Sequence, residues 1–136
     1  MKYPNWDRHY ELLELIAQER DPEKKKKLCQ EDIALLPAFR KDLVMRADET
    51  AKKSMELGHM TGETHPFEYY KAMRKSAYIM PSYPSFKVLA TIYEKEGDYS
   101  SAIEVCKAAI QEGFADDKTK GGMAGRIEKL EKKLSK

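Results

Sequence analysis

Several things are scarce in this chain. Of 136 residues, two are cysteine, one is tryptophan, three are histidine, six are proline and seven are glycine. Two cysteines do not make a disulfide framework. Cys29 and Cys106 both fall on apolar helical stripes, so buried, reduced thiols in a cytosol-like compartment are expected. Neither charge sign prevails: 25 Lys and Arg against 23 Asp and Glu leave a formal +2. A dedicated nucleic-acid surface usually comes with a strongly basic domain, so nucleic acid is not the expected partner. No apolar run approaches the roughly 20 residues of a membrane-spanning helix. The opening MKYPNWDRHYELLE has no apolar core of the kind a secretory leader carries, so none is expected. What remains is 35% charged and 41% hydrophobic residues. That mix fits a helical, cytoplasmic protein of one domain or a short repeat array, long enough to bury a sizeable core.

The most informative stretch is Ser85 to Gly113, SFKVLATIYEKEGDYSSAIEVCKAAIQEG. Phe86, Leu89, Ala90 and Tyr93 recur at helical spacing, and so do Ala102, Val105, Cys106, Ala109 and Ile110. Between the two patterns Gly97 stands where a helix end favours positive φ. Asp98 follows, ready to cap the next helix by accepting from its free N–H groups. Ala90, Ala102 and Ala109 are small, as two helices joined by so short a turn require. Large residue, Leu-Ala, Tyr, Gly-Asp-Tyr, then alanines: this order resembles the tetratricopeptide repeat (TPR), a helix–turn–helix unit of roughly 34 residues. Phe86, Cys106 and Phe114 depart from it, standing where Trp, an aromatic and Pro are usual.

Upstream, Asp7 to Arg20 reads as a first helix, with Asp7 as N-cap and Tyr10, Leu12, Leu13, Leu15, Ile16 and Ala17 apolar. Asp21-Pro22 stops it and starts a second, Asp as N-cap and Pro in the first turn, running to about Leu36. Shifted by 77 positions, this hairpin follows the later one: Leu12 on Leu89, Ile16 on Tyr93, Asp21 on Asp98, Cys29 on Cys106, Ile33 on Ile110. Pro37 falls at the repeat's closing proline. Lys25 and Asp32 stand where the repeat has alanine. A third helix is expected from Ala38 to Leu57, a loop from His59 to His65, and a fourth helix from Pro66 to Met80. Ser82 or Ser85 is expected to cap the next helix. A last helix from about Met123, with Met123, Ile127, Leu130 and Leu134 on one narrow stripe, suits the polar-faced end cap that repeat arrays need.

The expected architecture is therefore all-α: about seven helices in one domain over 1–136. Antiparallel hairpins at about 7–36, 38–80 and 85–113 stack as a short TPR-like solenoid, closed by a capping helix at about 123–135. No catalytic set emerges. His59, Glu63 and His65 share a loop but not a recognised metal-ligand spacing. A nucleophilic cysteine would need a nearby histidine and a lowered pKa, whereas both thiols sit on apolar stripes that keep them neutral. No metal, cofactor or enzymatic activity is expected. The TPR resemblance implies a protein or peptide partner, gripped by inner helices. Carried over position by position, it points to Tyr10, Glu14 and Gln18 on the first helix and Lys87, Thr91, Glu94 and Lys95 on the fifth. The set lacks the Lys/Asn clamp used for C-terminal carboxylates. The alternative is weak nucleic-acid or anion binding through the run Lys24–Lys27 and the glycine-rich segment carrying Lys118, Lys120 and Arg126, at a helix N-terminus that attracts anions.

Overall fold

The computed structural model describes residues 2–60, residue 71 and residues 80–136. Among these there are five helices and no strand: α1 Pro4–Gln18, α2 Pro22–Met60, α3 Ser85–Lys95, α4 Tyr99–Gln111 and α5 Gly122–Leu134. The expected all-α class holds. The loop expected from His59 does not begin there, because α2 continues through His59 and Met60. Glu63, His65 and almost all of the helix expected over 66–80 fall outside the described residues, as does the His59 side chain. The chain divides into two compact units. One comprises residues 1–10 and 35–81, the other 11–34 and 82–136.

The expected break between a second and a third helix at Pro37 does not occur, because α2 runs through it. An interior proline deletes one backbone hydrogen bond and crowds the preceding turn, at roughly 3 kcal/mol or more. Burial on either side offsets this. The buried positions of α2 are Cys29, Asp32, Leu36, Phe39, Asp42, Leu43, Ala47 and Ala51. They recur every three or four residues without losing phase at Pro37, which lies on the exposed side. Tertiary packing of one continuous face holds a helix more strongly than local propensity opposes it.

In the first unit, α1 begins three residues before the expected Asp7. Its cap comes from α2: Asp42 Oδ2 accepts from the backbone N–H of Asn5 at 2.7 Å and of Trp6 at 3.2 Å. A carboxylate on the free N–H groups of a helix start suits the helix dipole. Asp7 is exposed and its own N–H bonds to Tyr3. The Trp6 ring stacks on Phe39 with centroids 5.4 Å apart, and the Arg46 guanidinium lies 4.5 Å from the Trp6 ring.

In the second unit, α3 pairs with α4, and α4 with α5. Ile16 of α1, Cys29 of α2 and Leu89 of α3 share one buried cluster, flanked by Leu28, Ile33, Val88, Tyr93 and Val105. The α3–α4 turn follows the expected chemistry. Gly97 takes φ +79°, its N–H bonds to the Glu94 carbonyl, and that of Asp98 to Tyr93. These are the paired bonds of a Schellman close. Asp98 caps α4 by accepting from the Ser101 N–H at 3.2 Å. Gly113 and Phe114 close α4 with the same pair of bonds, to Ile110 and Ala109. Ala90, Ala102 and Ala109 are buried, as close helix packing requires.

Ser85 does not cap α3. Its hydroxyl donates instead to Asp32 of α2, and Pro84 holds the N-cap position without a side-chain bond. The connector to α5 turns back through Lys118, Gly121 and Gly122, all at positive φ. A Cβ on Gly122 would stand 2.6 Å from the Ala115 carbonyl oxygen, so only glycine fits. Met123 and Leu130 of α5 are buried, while its C-terminal Leu134 is half exposed.

Candidate functional site

Of the four polar residues expected on the inner face of α3, Lys87 and Glu94 meet the chain's own C-terminal segment. Glu94 takes Lys133 of α5 at 2.8 Å and faces Arg126 at 3.8 Å. Thr91 returns its hydroxyl to the Lys87 carbonyl at 2.8 Å. The Lys87 ammonium donates to the backbone carbonyl of Asp117 at 3.3 Å. Lys95 is exposed, as are Glu14 and Gln18 on α1. Tyr10 belongs to the other unit, where it is 39% exposed and its ring lies 5.0 Å from Trp6. The seven residues are thus not brought together as one open surface within either unit.

Of the cations of the expected anion site, one is held by a carboxylate of the chain itself. Arg126 grips Asp117, its Nε and one terminal nitrogen lying 3.1 and 3.0 Å from Oδ2. Burial pushes the Asp117 carboxyl up, but bonds from Thr119 and Arg126 outweigh that and hold it below the usual carboxylate range. Lys118 and Lys120 are exposed. The Lys24–Lys27 run is also broken up. Lys26 sits between Glu23 and Glu96, each at 2.8 Å, and 5.2 Å from the Tyr93 ring centroid. Hydrogen bonds to the two carboxylates raise its pKa. Lys24 and Lys27 line a shallow hollow shared with Glu19 and Glu31, so the local field has both signs.

Cys29 and Cys106 are buried free thiols. Burial pushes both up to about 11, the opposite of what a nucleophile needs.

The second unit has two concave features, one of which includes Lys87 and Lys118 from the expected residues. The first is an apolar groove of about 340 Å³, lined by Ile33 and Ala34 of α2, Phe86 and Leu89 of α3, and Val105 and Ala108 of α4. Gln30 and Glu104 border it. The second is a pocket of about 210 Å³ beside the start of α3, walled by Tyr83, Pro84, Phe114 and Met123, with Lys87, Asp116, Asp117 and Lys118 around it. The groove residues are visible in the sequence as apolar helical positions. Periodicity tells which face is apolar, not whether a neighbour covers it. The pocket had a fainter signal, Phe114 in place of the repeat's proline.

No known protein family, curated protein or solved structure matches the chain. No helix among the described residues is long and apolar enough to cross a membrane.

Proposed function

We propose that this chain is a non-enzymatic protein–protein interaction module, an adaptor or regulator built as a short TPR-like stack that holds a partner's peptide or helix. The observation that carries the reading is the apolar groove of about 340 Å³ bordered by α2 and α4. Ile33, Val105 and Ala108 remain only partly buried there, and Ala34 is exposed. A helix laid into an apolar groove is a recurring recognition mode. The glycine–aspartate turn and the buried alanines of the α3–α4 hairpin support the TPR-like reading. Two buried free thiols fit a reducing cytoplasmic setting, which belongs to the same proposal. Nucleic-acid association gains no support here, since Lys26 and Arg126 are held on carboxylates of the chain itself.

A display library of amphipathic helical peptides, panned against the full chain, tests this. Binders are expected whose affinity falls when Ala108→Glu places a charge in the groove. A selection that yields only binders indifferent to Ala108→Glu, with the variant still folded, would remove the groove as the site.

A further inference from the structure

The pocket beside α3 has a composition of its own. Its apolar wall is the Tyr83 and Phe114 rings, stacked with centroids 5.6 Å apart, together with Pro84 and the buried Met123. At about 210 Å³ it lies below the roughly 300–1,000 Å³ of sites that enclose a whole small molecule. It holds the equivalent of about seven waters at roughly 30 Å³ each, which suits a single large side chain.

The charges select what must lie next to that side chain. Asp117 turns its carboxylate to Arg126 and Thr119. Asp116 is exposed and accepts from the Lys118 backbone N–H at 2.9 Å. Against these stand the ammonium groups of Lys87 and Lys118. Lys26, Arg126 and Lys133 of the same unit each sit on a carboxylate. Lys87, though half-buried, has only the neutral Asp117 carbonyl at 3.3 Å. Among the described residues no carboxylate lies within ion-pair distance of it. With Asp117 neutralised by Arg126, two lysines face one aspartate, and the local balance is positive. A partly desolvated ammonium gains most from an ionised acceptor.

We propose that this pocket receives an acidic–aromatic segment of a partner protein, with one bulky aromatic side chain inside it and the carboxylate of the residue before it on Lys87. Aromatic anchors in small, well-walled pockets dominate interface energetics, and complementary charge sets the register. The proposal rests on the reading of the chain as an interaction module and adds a second contact to it, separate from the groove.

The test is calorimetric titration of the full chain with a capped hexapeptide, Gly-Ser-Glu-Phe-Ser-Gly, and three relatives in which Glu-Phe becomes Gln-Phe, Glu-Ala or Lys-Phe. The Glu-Phe peptide is expected to bind about tenfold more tightly than each relative, in line with one charge-assisted bond or one buried ring. Lys87→Met should abolish the preference for Glu over Gln, and Lys87→Glu should turn it toward Lys-Phe, with melting temperatures unchanged. Amide shifts on titration should centre on Tyr83, Phe114 and Met123. Absence of binding at 1 mM peptide, equal affinity for Glu-Phe and Gln-Phe, or shifts centred on Ile33 and Val105 would each overturn the pocket. Only the last of these results bears on the groove, by placing the peptide there; the groove's own test is sensitivity of helical peptides to Ala108→Glu.

Discussion

Ser85 Oγ donates to Asp32 Oδ2 at 2.5 Å, and both residues are fully buried. The bond ties the N-terminal third of α2 to the first residue of α3. Tyr83 joins it, its hydroxyl meeting the Asp32 backbone carbonyl and, at 3.2 Å, the Asp32 carboxylate. Asp32 is one of the two residues that break the alanine pattern of the first hairpin. Its place in the structure gives the reason: it is the acceptor that fixes how the later hairpin begins.

The first prediction concerns this cluster. Asp32→Ala leaves the Ser85 hydroxyl buried without its acceptor, at a cost of about 1–3 kcal/mol, and removes one of two acceptors from Tyr83. Ser85→Ala deprives the carboxylate of a donor at a similar cost. Because the two losses describe one interaction, the double variant should be less unstable than the sum of the singles. Urea unfolding of all four proteins measures this. Simple additivity would mean that the bond does not hold α2 to α3.

The second prediction concerns Pro37. It lies inside α2 with its ring exposed, so Pro37→Ala restores a backbone bond and relieves crowding without disturbing the core. A gain of about 1–3 kcal/mol is expected, bounded by the roughly 3 kcal/mol that an interior proline costs. Unchanged or lower stability would indicate that the chain needs a break at this point.

What could be read from the chain alone divides along the same line. Features decided by a few consecutive residues are legible: Gly97 with Asp98, the closing Gly113, the small Ala90, Ala102 and Ala109, and the start of α5 near Met123. Features decided by a residue far along the chain are not. The N-terminus of α1 is capped by Asp42 rather than Asp7, and Ser85 turns to Asp32 rather than to its own helix. Glu94, expected to face a partner, is held by Lys133. Pro37 misleads for a related reason, since its local preference is outweighed by a buried stripe that continues on both sides. The groove residues Ile33 and Val105 were visible as apolar positions, but their exposure depends on which helices lie beside them.

The third prediction concerns pH. Burial raises both thiols from the ordinary 9.0 to about 11, so the folded state keeps protons that the unfolded chain releases. The stability these neutral thiols contribute is complete below about pH 9 and is lost as pH rises toward about 11. A Cys29→Ala/Cys106→Ala variant should therefore show a shallower fall in stability over that window. At pH 8 the native protein should react with a thiol reagent far more slowly than the unfolded chain. Native labelling at the unfolded rate would contradict the burial of Cys29 and Cys106.

The central claim is that the groove between Ile33 and Ala34 of α2 and Val105 and Ala108 of α4 receives a partner's helix. The most direct measurement is the dissociation constant of one selected helical peptide for three proteins: the natural chain, Ala108→Glu, and Lys95→Glu on the exposed end of α3. Burying an unpaired carboxylate in an apolar contact costs several kcal/mol, so Ala108→Glu should weaken binding by about a hundredfold or more, at 1.4 kcal/mol per factor of ten. Lys95→Glu should change it by less than about threefold, as exposed charges outside a contact do. Equal affinity for the natural chain and a folded Ala108→Glu variant would contradict the account.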